Sequence, residues 1–418
     1  MISQELNERL TKVGPGTPMG NLLRRYWWPV AAAAELKDWP TKKVRLLGED
    51  LALYRDKQGK LGLISEQCPH RKASMVYGIP EDEGLRCPYH GWLFNGEGRC
   101  LEQPAEPADS TFKDRVQVAG YKVEELGGFI FAYMGPEPAP LLPRYDLLVK
   151  KPAVRQIGAA LLDCNWLQIM ENSVDPTHAE WLHVYYMNYI QEQTGSTDYK
   201  KTIHKRHIKI GFDLFEHGII KRRVTEGHSE EDDEWKIGHP LVFPNILKVG
   251  SAGRYSFQFR VPVDDTHTMH YWYLCLTPPS QVEIEVPEQE VVPYYEVKYM
   301  DENGRYMTNK TDGQDIMCWV TQGAITDRTT ERLGTSDKGI ILYRQLLQEQ
   351  LEKVERGEDP MCVVRDPEKN YFIPLPQEEE KAFLRGAGSF KTWRLDYAPE
   401  VREYLERFEE ALVAKGLW

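Results

Sequence analysis

The stretch CPHRKASMVYGIPEDEGLRCPYHGW, from Cys68 to Trp92, constrains this chain more than any other. It holds one pattern twice: a cysteine, a proline directly after it, and a histidine two or three residues beyond the cysteine. The spacing is Cys68-x-His70, then sixteen residues, then Cys87-x-x-His90. The chain has seven cysteines, an odd number, and the other five are scattered, which argues against a disulfide framework and for a reducing compartment. Cys68 and Cys87 are then candidate metal thiolates rather than cross-links. Zinc modules usually pair cysteine with cysteine and histidine with histidine, at spacings unlike these.

Each arm here is mixed, and two mixed arms suit a two-centre cluster in which both thiolates hold one iron and both imidazoles hold the other. The spacing, the proline after each cysteine and the CPYHGW ending resemble Rieske [2Fe-2S] domains, in which two histidines replace two cysteines on one iron and raise the potential to roughly −150 to +300 mV. The resemblance implies Cys68, His70, Cys87 and His90 as the cluster ligands.

At 418 residues the chain can form two or three packed domains, and its 41% hydrophobic content is ordinary for a globular protein. No apolar run reaches the roughly 18 residues of a membrane span, and MISQELNERLTKVG lacks the basic-then-apolar pattern of a secretory signal. A soluble cytoplasmic protein with no membrane partner is expected. A net charge of −12 argues against nucleic acid, whose phosphates need a concentrated Lys/Arg surface. An anionic substrate would need positive charge gathered locally, inside a pocket.

Short apolar and alternating runs from about Lys43 to Tyr133 predict a small antiparallel β domain around the Cys/His motif. The proline-rich segment Gly135 to Asp146 reads as a boundary. Leu161 to about His183 reads as helix, the runs after it as strands of an antiparallel sheet, and the final third as helical. Its best cases are Asp337 to Arg356, with apolar residues at helical spacing and Gly357 as a stop, and Pro399 to Ala414. The expected fold is α+β: residues 1–42 packing on the catalytic domain, a domain over 43–135, and a larger sheet-and-helix domain over 146–418.

A cluster alone moves one electron, so a receiver is needed. MENSVDPTHAEWLH offers Asn172, Asp175, His178 and His183 inside the expected helix. Two histidines five apart lie about 140° apart on an ideal helix, so joint ligation requires a distorted turn, which Pro176 could supply. This segment resembles the N-x-x-D-x-x-H-x-x-x-x-H pattern of the Rieske non-heme iron aromatic-ring oxygenases. VGPGTPMGNLLRRYWWPVA, RLLGEDLALYRD, EPADSTFKDRV and SDKGI look like the phthalate-dioxygenase-type branch of that family.

The resemblance implies a Rieske β domain joined to a helix-grip, START-like catalytic domain with an antiparallel sheet and C-terminal helices. It implies a mononuclear Fe(II) held by two histidines and a carboxylate, with open positions for dioxygen. His178 and His183 match the histidines. Asp312, Asp315 and Asp327 are candidates for the carboxylate; Asp315 is preferred because its surroundings resemble the branch's ligand segment. Asp175 would bridge a cluster histidine of one subunit to an iron histidine of the next, which implies a homotrimer or a hexamer. Asn172 could hydrogen-bond near the iron or cap backbone groups.

The implied activity is oxygen insertion from O2 into an aromatic carboxylate such as a phthalate-like or benzoate-like compound. Electrons would come from NAD(P)H through a separate reductase, expected to carry flavin and [2Fe-2S]. O-demethylation within the same family and, in a different class, electron transfer without oxygenase activity are the alternatives. Lys205, Arg206, Lys209, Lys221, Arg222, Arg223 and Lys248 are the basic residues that could meet a substrate carboxylate. In a strand, Lys221 and Arg223 share a face that Arg222 does not. Phe243, Asn245, Tyr271, Tyr273 and Trp319 are candidates to line an aromatic pocket.

Overall fold

The computed structural model describes residues 1–195, 205–377 and 397–417. The described residues form an α+β fold with three sheets. The short apolar runs of the first third pair into a six-stranded antiparallel sheet in the order β1 (Trp27–Ala32), β10 (Phe129–Tyr133), β9 (Gly120–Leu126), β4 (Leu61–Ser65), β3 (Glu49–Arg55), β2 (Thr41–Leu46). A smaller four-stranded sheet, β5 (Ile79–Pro80), β6 (Leu85–Arg86), β7 (Leu93–Phe94) and β8 (Cys100–Glu102), carries the Cys/His loops. Ala52, Tyr54 and Ile64 of the larger sheet share a core with Cys68, Cys87, Trp92 and Phe94, so the loops rest on a rigid support.

The first 42 residues divide between the two halves of the molecule. Helices Gln4–Thr11 and Pro18–Leu23, capped by the hydroxyls of Ser3 and Thr17, pack against catalytic-domain helices. Strand β1 instead pairs with β10 of the β domain. Residues 27–32, within the segment expected to pack on the catalytic domain, thus extend the β-domain sheet, because β10 is apolar throughout and takes β1 as its ladder partner, and β1 also meets strand Arg254–Pro262 of the second sheet.

The second sheet has eight strands in the order β12 (His207–Phe215), β13 (Gly218–Thr225), β14 (His239–Val242), β15 (Ile246–Ser251), β16 (Arg254–Pro262), β17 (Thr268–Leu276), β11 (Val154–Leu162), β18 (Tyr294–Glu296). All neighbours are antiparallel except β11 and β18. In β16, Arg254, Ser256, Gln258 and Arg260 share one face and Tyr255, Phe257, Phe259 and Val261 the other. The aromatic face meets the β domain: Phe129 lies 5.3 Å from both Tyr271 and Tyr273 and 5.5 Å from Phe259, ring centre to ring centre. Tyr271 and Tyr273 thus pack between domains instead of lining a pocket.

Helices Lys338–Glu355 and Pro399–Ala414 lie where the apolar spacing predicts them. The helix expected from Leu161 to His183 is broken. Strand β11 runs to Leu162, Asn165 caps a helix over Trp166–Val174, and the chain turns at Asp175 before resuming at His178. Asp175 precedes a proline, which disfavours helical backbone, and it adopts an extended φ of −85° and ψ of 117°. Buried Glu171 anchors the helix: Arg328 and Arg344 each lie 2.7 Å from its carboxylate. Among the described residues, no helix is long and apolar enough to cross a membrane.

Candidate active site

The two Cys/His loops are near copies of each other in backbone. In the first, the Lys72 N–H donates to the Cys68 carbonyl at 2.9 Å; in the second, the Gly91 N–H donates to the Cys87 carbonyl at 3.0 Å. The closing residues have positive φ, 63° at Lys72 and 77° at Gly91. Both cysteines are buried while His70 is exposed and His90 half-buried, so the sulfur end faces inward and the imidazole end outward. The imidazoles lie 4.5 Å apart between ring centres, and His70 stacks on Trp92 at 4.6 Å.

Burial pushes the Cys68 thiol up to about 11; backbone N–H groups of His70 and Arg71 oppose this, and the adjacent Cys87 adds to it. Desolvation, then His70 and Arg71, hold His90 below its ordinary value, in the neutral form a metal requires. Two facing buried cysteines, both free of disulfides, together with two outward imidazoles, form a donor set that suits a mixed-ligand [2Fe-2S] cluster.

The second centre is assembled from distant segments. His178 begins a short helical turn, and His183 sits in a π-helical stretch, Trp181–Tyr186. A π-turn makes residues five apart neighbours, which resolves the angle that an ideal α-helix would impose. The distortion between the histidines is therefore this wide turn and not a kink at Pro176, which precedes both. Asp315 comes from helix Thr311–Thr321, with its Oδ1 3.2 Å from His183 Nε2 and 3.9 Å from His178 Nε2. The three ligand atoms lie within 4.8 Å of one another.

An acceptor stands behind each imidazole. Gln314 Oε1 lies 3.0 Å from His183 Nδ1, and Asp175 Oδ2 lies 3.4 Å from His178 Nδ1. Asp175 also accepts hydrogen bonds from the Thr177 amide and hydroxyl and from the His178 amide. Each Nε2 is thereby turned towards Asp315. Burial opposes charge on both partners, yet Asp315 raises the His183 pKa, and His183 with His178 lowers that of Asp315. Buried Asp315 Oδ1 has no hydrogen-bond partner. Two imidazoles and an unsatisfied carboxylate oxygen converging on one point suit a divalent iron.

Of the other candidates, Asp312 accepts from the Trp272 indole at 3.1 Å and Asp327 caps an exposed turn at Thr329 and Thr330, so neither joins this group.

Residues 26–122 match the Rieske [2Fe-2S] domain, and residues 288–373 match the LigXa C-terminal domain like family. The chain is 42% identical to the 5,5'-dehydrodivanillate O-demethylase oxygenase subunit of Sphingobium sp. (strain NBRC 103272 / SYK-6), over 92% of this chain and 89% of that one. The chain belongs to the Rieske oxygenases. It is also 31% identical to the phthalate 4,5-dioxygenase oxygenase subunit of Pseudomonas putida, over 86% of this chain and 88% of that protein. The terminal oxygenase of carbazole 1,9a-dioxygenase from Novosphingobium sp. KA1 shares the fold at 20% identity, with a TM-score of 0.57 over 86% of this chain and 100% of that one.

As a Rieske oxygenase subunit the protein takes a [2Fe-2S] cluster and Fe(II) as cofactors. Its cavity, of about 190 Å³, opens beside His178, His183 and Asp315 and is walled by Asn172 and the polar face of the large sheet. Lys221 and Arg223 line it, as their shared strand face predicts. Lys221 donates to the Ser173 carbonyl at 2.8 Å, and Arg223 lies 2.7 Å from Glu234.

Arg222 pairs with Asp213 outside, Lys248 is buried against Asp146, and Arg206 and Lys209 pair with Glu226 and Glu230. Lys205 meets His228 at 3.0 Å. Phe243, Asn245 and Trp319 are buried in cores or against backbone. Sequence reasoning missed His239, Arg254, Gln258 and Arg260 on the cavity wall and Gln314 behind His183. The alternation in RYSFQFRVP was the available signal for the β16 residues. Gln314 had none beyond adjacency to Asp315.

Proposed function

We propose that this oxygenase subunit oxidises an aromatic carboxylate, by hydroxylation or dihydroxylation of a phthalate-like or benzoate-like ring. One observation carries the reading: a convergent His178, His183 and Asp315 donor set stands at a cavity whose wall also bears Lys221, Arg223, Arg254 and Arg260. In this reading Cys68 and Cys87 hold one cluster iron, His70 and His90 the other, and His178, His183 and Asp315 hold the mononuclear Fe(II). When bound, the cluster supplies stored single electrons and the iron supplies activation of dioxygen.

The protein's own part is to position. Asp175 and Gln314 fix the Nδ1 side of each iron histidine. Leu247 and Val249 offer apolar contact to a ring, and Asn172 offers a polar group beside it. The cationic wall gathers the positive charge that the acidic surface denies an anion.

A second reading, O-demethylation of a methoxybenzoate-type compound, is favoured by the 42% identity to a relative named as an O-demethylase. The partners in either case are a reductase with flavin and [2Fe-2S] centres that oxidises NAD(P)H, and further copies of this chain in a trimer or a stack of two trimers. Exposed His70, exposed Tyr89 against His90 at 3.9 Å between ring centres, and exposed Trp181 and Tyr185 on the iron helix support a contact between the two centres of neighbouring subunits, with Asp175 between them.

The test is oxygen uptake by the holoenzyme with a reductase, using a panel of phthalates, benzoates and methoxybenzoates. Carboxylate-dependent uptake is expected. Formaldehyde release identifies demethylation and a cis-diol identifies dihydroxylation, whereas uptake that no aromatic carboxylate stimulates sinks the reading.

A further inference from the structure

Four buried cations of the catalytic domain are each answered by a carboxylate of this chain. Arg223 lies 2.7 Å from Glu234, Arg328 and Arg344 each 2.7 Å from Glu171, and Lys248 2.6 Å from Asp146. Arg260, like Arg155, is answered by neutral oxygens. It is 1% exposed, lines the iron-side cavity, and donates only to neutral oxygens: Nη1 to the Gln258 carbonyl and Nη2 to Gln258 Oε1, both at 2.8 Å. Its Nε is buried with no hydrogen-bond partner. No carboxylate among the described residues pairs with it; it feels Asp315 only across the site. A buried guanidinium without a counter-ion is costly, and an arriving anion would offset that cost.

The contact with Gln258 adds direction. A guanidinium has donors only, so the amide of Gln258 must present its oxygen to Arg260 and turn its NH2 group away. Gln258 lines the same cavity and is half-buried, and its Nε2 donates to no group of the described residues. Arg260 therefore both carries charge and pre-sets a neutral donor beside it. With Fe(II) in place, Asp315 is committed to the metal, which leaves the positive charge of Arg260 still to be balanced.

We propose that Arg260 and Gln258 form the anchor for the substrate's carboxylate, so that the enzyme selects anionic over neutral aromatics at this pair. The inference rests on the reading of the cavity as the substrate site, and it names the residues that set specificity there. An arriving carboxylate would take the unused Nε–H of Arg260 and the amide NH2 of Gln258, two donors in one locked unit, while the ring contacts Leu247 and Val249.

The test is anaerobic titration calorimetry on the holoenzyme, with phthalate and 4-hydroxy-3-methoxybenzoate compared with their neutral amides. The wild type is expected to bind at least one acid at least about tenfold more tightly than its amide. Arg260→Gln should weaken that acid by about 30-fold or more and the amide by no more than about threefold, and Arg260→Lys should recover part of the difference. Equal losses for acid and amide would mark Arg260 as a packing residue and overturn the anchor, as would a wild type that shows no preference or binds neither probe. Should Arg260→Gln fail to assemble a coloured cluster, Gln258→Leu decides: a loss of about tenfold confined to the acid supports the pair, and an unchanged acid affinity refutes it.

Binding is read without turnover. An enzyme that takes up oxygen only with neutral aromatics would keep its oxygenase activity and lose the anchor. One that binds acids through Arg260 but oxidises none would do the reverse.

Discussion

The cluster loops and the iron site use the same currency, two histidines completed by anionic ligands, but they are built in opposite ways. All four cluster donors come from one segment, Cys68 to His90, folded into two loops closed by backbone hydrogen bonds. The iron donors come from a π-distorted helix and from a second helix far downstream, and side chains hold them in aim: Asp175 behind His178, Gln314 behind His183. The first site is written in backbone and the second in packing. Damage should therefore spread differently in the two.

Removing a donor should separate them most sharply. His183→Ala or Asp315→Ala is expected to lose iron and abolish turnover while the red-brown cluster spectrum stays intact. Cys87→Ser should bleach the cluster and leave iron content near one per chain. Loss of both metals from either variant, measured by optical spectra and metal analysis, would break the comparison. Next comes Asp175→Asn, which should keep both metals yet slow electron delivery and turnover by roughly 10- to 100-fold. Near-normal single-turnover kinetics would remove its bridging role and leave it as the cap of the turn at Thr177. Smaller again is Gln314→Leu. Without the oxygen that fixes His183 Nδ1, iron affinity should fall by about tenfold with the cluster potential unmoved. An unchanged iron affinity would mean that packing alone aims the ring.

The same contrast explains what was legible in the sequence. Cys68, His70, Cys87 and His90 could be read directly because a local site needs its ligands at a fixed spacing. The periodic helices near the C-terminus were legible for a similar reason: each buries one face against a partner, and the apolar repeat records it. The iron site was legible only through resemblance, since nothing in the run around Asp315 says that His183 lies 3.2 Å from it. A wide turn has no periodic signature, so the π-helical stretch was expected only as an unspecified distortion. Arg328 sits in the polar run TDRTTER and is nevertheless fully buried, because Glu171, far away in sequence, waits for it. The cationic wall of the cavity was half visible, through the alternation of Lys221 and Arg223; Arg260 was hidden because its partners are neutral.

The smallest effect probes the backbone half of the comparison. The two cluster loops close at equivalent positions with positive φ, yet one uses Lys72 and the other Gly91. A non-glycine residue in that region costs roughly 1–2 kcal/mol. Lys72→Gly relieves that cost in the folded loop, but a glycine also gains freedom in the unfolded chain, an effect of about 0.4–1 kcal/mol in the opposite direction. The net change should be a gain of between about 0 and 1.6 kcal/mol. Gly91→Ala carries the backbone penalty without relief, and its Cβ would come within 3.1 Å of Pro104 Cγ, so it should destabilise by at least about 1 kcal/mol. Thermal bleaching of the cluster in the two variants measures both. If Lys72→Gly is the more damaging, then the lysine side chain and not the shared backbone shape holds the first loop, and the two loops are not the equivalent pair that their hydrogen bonds make them.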